Sequence, residues 1–90
     1  MARVAIILKV FPSSVEIQPQ TLLEKIREKL PEGYKIEASG EEPIAFGLKA
    51  LKLVISMPEE TEGGTAQIED LLRSMPEVNE VEVEAVHRMS

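Results

Sequence analysis

Residues 3–11 read RVAIILKVF. Aliphatic side chains dominate this stretch, and every second residue from Val4 to Val10 would point to one face of an extended chain. Apolar side chains also occupy the opposite face. Because both faces are apolar, the stretch predicts a strand in the centre of a sheet, with a neighbouring strand on each side.

The rest of the chain predicts five further elements. An amphipathic helix is expected from Pro19 to Leu30, since a proline is tolerated in the first helical turn. A half-buried strand follows over Tyr34–Ser39, in which Tyr34, Ile36 and Ala38 alternate with polar residues. An apolar strand is expected over Leu48–Met57. A second helix is expected over Thr65–Met75, and a last strand over Val78–Ala85, where apolar residues alternate with glutamates.

The order of these elements is β-α-β-β-α-β, which is typical of the ferredoxin-like fold. In that α+β fold, two helices cover one face of a four-stranded antiparallel sheet. Right-handed crossovers place the first and third strands in the centre, in the order 4-1-3-2. Residues 1–90 are therefore expected to form one domain, since a chain of this length has room for no second core.

The composition excludes several classes of function. Cysteine is absent, which rules out disulfides, thiolate nucleophiles and cysteine-based zinc sites. A net charge of −6 would repel a phosphate backbone, so direct binding of nucleic acid is not expected. No apolar run approaches the roughly 20 residues that span a bilayer, and no secretory segment opens the chain. We therefore expect a soluble, cytoplasmic protein without a membrane partner.

Chemical motifs are equally scarce. His87 is the only histidine, and its position in an alternating strand near the chain end is typical of a surface residue. Gly63 and Gly64 precede a helix, but no phosphate-binding pattern accompanies them, so a flexible turn is the simpler interpretation. Phe11 is the only aromatic residue on the two central strands, which argues against an RNA-recognition module. The sequence predicts no catalytic residues, no cofactor and no metal site.

One segment stands out between the second and third strands. Residues 41–47 read EEPIAFG, which places Phe46 at or beside the tip of a hairpin. Two interpretations are open at this point. Phe46 belongs to the third strand and packs into the core, or it is an exposed aromatic anchor for a protein partner. The two interpretations differ in the exposure of its side chain.

Three stretches resemble the elongation factor 1-beta family, above all its short archaeal members. They are VAIILKVFP at 4–12, PIAFGLKALKL at 43–53 and VNEVEVEAVHRM at 78–89. The resemblance covers nearly the whole chain in order. It implies a guanine-nucleotide exchange factor of translation that binds elongation factor 1-alpha with GDP and promotes GDP release. Renewed GTP and aminoacyl-tRNA binding would follow, with no bond made or broken by this chain.

The resemblance also implies which residues meet the GTPase. In eukaryotic relatives, a lysine next to the last residue resembles a wedge aimed at the magnesium that holds the nucleotide. Aligned on the ending HRMS, Arg88 falls at that position here, although Ser90 adds one residue and the forked guanidinium differs from a lysine's point charge. The implied partner-binding residues are Pro43, Ile44, Phe46, Gly47, Lys49, His87 and Arg88.

Two other functions remain compatible with the residues alone. Ferredoxin-like domains also serve as sensors of small molecules, but those usually bind at a glycine-containing turn after the first strand. This chain has Pro12, Ser13 and Ser14 there. A purely structural subunit of an assembly is the other alternative. The oligomeric state that we expect is a monomer.

Overall fold

The computed structural model describes residues 2–61 and 63–89 of the chain. It has the six elements that the sequence predicts, in the predicted order. They are β1 (Arg3–Pro12), α1 (Pro19–Lys29), β2 (Lys35–Pro43), β3 (Lys49–Pro58), α2 (Ala66–Arg73) and β4 (Val78–Met89).

The four strands form one antiparallel sheet in the order β2-β3-β1-β4. Read from the other edge, this is the predicted order 4-1-3-2, so the ferredoxin-like prediction is confirmed. The central strand β1 pairs with β3 on one side and with β4 on the other, so that Leu8 lies between Leu53 and Val83. The apolar character of both faces of β1 therefore reflects its central position.

One continuous core lies between the two helices and one face of the sheet. Each member of the following set is at most 3% exposed: Ile6, Leu8, Val10, Leu22, Ile26, Leu51, Leu53, Ile55, Ile68 and Leu72. Burying one such side chain stabilises the folded state by about 1.5–3 kcal/mol. A core of aliphatic side chains therefore suffices for a short chain with few aromatic residues. The helices have 11 and 8 residues, and no helix within the described ranges could cross a membrane.

A shift of register in β2 corrects the predicted alternation. Ile36 lies opposite Ile55, whereas Ala38 lies opposite Val54, so one strand has an extra residue between the two pairs. Such a bulge moves all later side chains to the other face. Ala38 is consequently exposed on the uncovered face of the sheet, and the prediction that it shares a half-buried face with Ile36 is wrong.

A second shift affects β4 in the same way. Leu8 lies opposite Val83, but Ile7 lies opposite Ala85. Val83 packs against the core, whereas Ala85 lies on the sheet face that the helices leave uncovered. The predicted alternation that put these two residues on one face is therefore wrong beyond Val83.

Several boundaries differ from the predicted ones. β2 continues to Pro43, because Glu41, Glu42 and Pro43 pair with the beginning of β3, and this shortens the connecting loop to residues 44–48. The helix α2 ends at Arg73, where the N–H of Ser74 donates to the last carbonyls. β4 extends to Met89, well beyond the predicted Ala85.

Candidate functional site

The β2–β3 hairpin ends in a tight turn with unusual backbone geometry. The N–H of Leu48 donates to the carbonyl of Ala45 at 3.1 Å, and the N–H of Ile44 donates to the carbonyl of Leu48 at 2.9 Å. The two central residues, Phe46 and Gly47, have φ angles of 59° and 79°. A type I′ turn requires this combination, which accounts for the glycine but not for the phenylalanine.

Phe46 is strained and exposed at the same time. An L-residue in the left-handed region costs roughly 1–2 kcal/mol, and asparagine or aspartate is the usual choice when glycine is not used. The side chain is nevertheless 94% exposed, so it gains no burial in return. The structure thus excludes the interpretation in which Phe46 packs into the core. A strained, exposed aromatic residue at a turn points to a role outside folding.

The neighbours of Phe46 fix the turn to the sheet. Ile44 is half-buried below it, and Pro43 ends β2. Nζ of Lys49 lies 3.7 Å from a carboxylate oxygen of Glu41 across the hairpin. The lysine side chain is more than half exposed. The five hairpin residues of the implied binding set therefore lie together at one end of the molecule.

The same end carries an apolar residue that the sequence analysis did not select. Val15, in the loop between β1 and α1, is 58% exposed and lines a shallow cavity of about 230 Å³ together with Pro19, Gly47 and Lys49. The sequence gives little indication that Val15 belongs to a site, because a single valine in a polar loop is common on protein surfaces. Val15 and the turn residue Gly47 therefore line the same cavity at this end of the molecule.

Arg88 lies near the end of β4, opposite Val4 of β1. Its guanidinium meets the carboxylate of Glu59, with Nη2 at 2.7 Å from Oε1 and Nε at 3.2 Å from Oε2. The arginine side chain remains 74% exposed. His87, its neighbour, lies opposite Ala5. Because successive residues of a strand point to opposite faces, His87 and Arg88 do not form one side-chain cluster.

The hairpin turn and Arg88 lie at opposite ends of the sheet. Val4 pairs with Arg88 on one side and with Met57 on the other, while the hairpin turn begins before Lys49. Met57 lies eight positions after Lys49 in β3, so at about 3.3 Å per position the separation is roughly 26 Å. The residues that the sequence analysis grouped therefore form two sites, which we call the hairpin end and the arginine end.

Between the two ends, four charged side chains meet on the sheet face that the helices leave uncovered. Nζ of Lys9 lies 2.6 Å from Glu42 and 3.8 Å from Glu84, and Lys52 lies within 3.7 Å of the same two carboxylates. The hydrogen bond from Lys9 lowers the pKa of Glu42, and the same bond raises the pKa of Lys9. Alternating charges of this kind satisfy one another within the sheet. Among residues 2–61 and 63–89, no group of three potential ligands could hold a metal ion.

Comparison with known proteins gives this arrangement a family. Residues 5–89 match the model of the EF-1 guanine nucleotide exchange domain. Elongation factor 1-beta of Aeropyrum pernix is 63% identical over 89 residues, which cover 99% of both chains. The chain belongs to the elongation factor 1-beta family. Its counterpart in Staphylothermus marinus is 56% identical over 90 residues, with both chains covered completely.

A solved structure gives independent support for the fold alone. The C-terminal domain of the MgtC protein from Mycobacterium tuberculosis superposes with a TM-score of 0.53, over 97% of this chain and 85% of that domain. Its sequence is only 13% identical, so the likeness carries no function. Membership of the elongation factor 1-beta family, in contrast, identifies a translation factor with a nucleotide-exchange domain.

Proposed function

We propose that this chain binds elongation factor 1-alpha in its GDP form and accelerates release of the GDP, so that GTP and aminoacyl-tRNA can bind again. The observation that carries the proposal is the match of residues 5–89 to an exchange domain, together with relatives at more than half identity over the whole chain. Such a role requires no bond-making chemistry. It requires a binder that prefers the GTPase with a distorted nucleotide site, since binding of the two ligands is then reciprocally weakened.

The hairpin end is proposed to supply affinity. Phe46 is an exposed aromatic side chain on a two-strand support, and aromatic residues of this kind supply much of the energy of protein interfaces. The short turn holds its backbone in one conformation, so docking requires little further ordering. Pro43, Ile44, Gly47 and Lys49 are proposed to form the rim of the same contact.

The arginine end is proposed to act on the nucleotide site, with His87 in the adjoining contact. Mg²⁺ bridges the phosphates of a bound nucleotide and is one of its main anchors. A guanidinium brought close to that metal would repel it and compete for its carboxylate and phosphate partners. Because the two ends are roughly 26 Å apart along the sheet, the GTPase surface that meets both has to extend at least that far.

Stopped-flow release of a fluorescent GDP from elongation factor 1-alpha tests the proposal. The wild-type chain is expected to accelerate release and to reach a maximal rate at saturation. Phe46→Ala should raise the concentration that gives half of the maximal rate, whereas Arg88→Ala should lower the maximal rate itself. A wild-type chain without any effect on release would refute the proposed function.

A further inference from the structure

The ion pair between Glu59 and Arg88 has a geometry that bears on how Arg88 is used. Both carboxylate oxygens face the Nε and Nη2 atoms of one guanidinium, at 3.2 and 2.7 Å. This two-point arrangement is directional and charge-assisted, unlike a loose contact between two flexible side chains. The pair therefore sets the direction in which the arginine side chain extends.

That direction is across the sheet. Arg88 lies on β4, next to Val4 of β1, and Glu59 follows the end of β3 on the far side of β1. Neighbouring strands are about 4.8 Å apart, so the guanidinium has to pass over the beginning of β1 to reach the carboxylate. The backbone N–H of Glu59 also donates to the carbonyl of Ala2 at 3.2 Å, which ties this carboxylate to β1.

The pair also neutralises the charge that the proposed function needs. A guanidinium with a carboxylate at 2.7 Å presents little net charge to an approaching partner. Two of the five N–H donors of the guanidinium are occupied by Glu59, one on Nε and one on Nη2. Together they form one edge of the planar group. To meet a metal ligand or phosphate with that edge, Arg88 has to leave Glu59.

We propose that Glu59 is a latch, which holds Arg88 folded back across β1 until the GTPase offers a competing acidic group. The proposal rests on the proposed function and adds a positioning residue to it. Exposed pairs shift an equilibrium by at most about fivefold, so the latch opens readily on binding. It would keep the positive charge away from other acidic groups while the chain is free.

The test compares the second-order rate constant for GDP release across matched variants. Glu59→Gln keeps the shape of the side chain but removes its charge, and it should raise the rate constant about two- to fivefold. Glu60→Gln is the control, because it makes the same change of net charge in the same loop. No ion pair of Glu60 occurs in the described part of the chain. This control should leave the rate constant unchanged.

The effect must also depend on Arg88. In an Arg88→Gln background, Glu59→Gln should give no further rise, and in 1 M salt the gain in the wild-type background should shrink by screening. An active wild type with a Glu59→Gln variant that is equal or slower would overturn the latch alone. An equal rise in Glu60→Gln or in the Arg88→Gln background would overturn it too. A wild type that does not accelerate release would overturn the proposed function instead.

Discussion

The hairpin end and the arginine end offer a partner opposite kinds of surface. Phe46 is uncharged, almost fully exposed and held by a four-residue turn at a cost in backbone strain. Arg88 has a long flexible side chain whose charge is already paired with Glu59 in the free chain. One end is thus ready to dock as it is, whereas the other has to rearrange.

The difference follows from what each kind of contact contributes. Burying an exposed aromatic side chain removes apolar surface from water, and a rigid turn limits the entropy lost on docking. Exchanging one ion-pair partner for another yields little net free energy, because the exposed Arg88 is paired both before and after, and an exposed pair is worth little. We therefore expect affinity to depend on the hairpin end and the effect on the nucleotide to depend on the arginine end.

The largest effect is expected from truncation of the docking side chain. Phe46→Ala should weaken binding to elongation factor 1-alpha by about 2–4 kcal/mol, the usual range for a central aromatic anchor. Isothermal titration calorimetry against the GDP-bound GTPase measures this change. The matched control is Val15→Ala, which removes apolar surface at the same end and should cost less than about 1 kcal/mol. Equal losses in both variants would assign the affinity to general apolar area rather than to Phe46.

A smaller effect is expected in the strands that support the arginine end. Ser56 is fully buried, donates to Glu37 at 2.6 Å and accepts a hydrogen bond from Nη2 of Arg3 at 2.8 Å. Ser56→Ala should lower the free energy of unfolding by about 1–2 kcal/mol, because it leaves two polar groups with fewer partners. Urea unfolding at constant m-value measures the loss.

The control for this substitution is Ser39→Ala. Ser39 is exposed on β2, and its side chain makes no hydrogen bond within residues 2–61 and 63–89. Its removal should leave the midpoint of unfolding unchanged. A loss of the same size in both variants would mean that strand propensity, rather than the hydrogen bonds of Ser56, accounts for the change.

The sequence predicted the fold well, because the spacing of the apolar residues and the order of the helices and strands carry that information. The apolar faces of β1 and β3 and the spacing of the two helices were sufficient for the topology. The bulges near Glu37 and Glu84 were not predictable, since an inserted residue changes the register without changing the local pattern. Each bulge moved one alanine, Ala38 or Ala85, to the uncovered face.

The candidate site was predictable only in part, for a different reason. The aromatic residue beside Pro43 and Gly47 signalled a special turn, but its exposure depends on the φ angle of Phe46, which the sequence alone left open. The pairing of Arg88 with Glu59 joins residues 29 positions apart in the chain, and no local pattern connects them. Only the three-dimensional register showed that the implied binding residues lie at two ends.

The strain at Phe46 gives a third prediction, in which stability and binding change in opposite directions. Asparagine tolerates the left-handed conformation better, so Phe46→Asn should stabilise the fold by about 0.5–1 kcal/mol. Thermal unfolding followed by circular dichroism measures the gain. Phe46→Ala is the control, because its Cβ keeps the strain, and its stability should stay close to that of the wild type. A gain of stability in both variants would mean that the exposed apolar ring, and not backbone strain, destabilises the wild type. Backbone strain would then not distinguish the two ends.

The smallest effect is expected midway between the two ends, where Lys9 and Glu42 meet. The hydrogen bond from Lys9 holds the pKa of Glu42 below its ordinary value, so the ionised carboxylate is favoured in the folded chain. Its contribution to stability is therefore present above the unfolded-state pKa of about 4.3 and is lost as the pH falls through the lower folded-state pKa. Urea unfolding should show Glu42→Gln to be slightly less stable than the wild type at pH 7, and this difference should shrink as the pH falls below about 4.3.

Glu24→Gln is the control for this last comparison, since Glu24 is an exposed residue of α1 that has no ion pair in the described ranges. Its difference from the wild type should not depend on pH in the same way. The pKa of Lys9 is raised by the same bond, so the contribution of the lysine is lost only at alkaline pH, above about 10.4. A deficit of Glu42→Gln that stays constant as the pH falls below about 4.3 would arise from packing rather than charge, and the pair of Lys9 and Glu42 would then add no electrostatic stabilisation to the sheet.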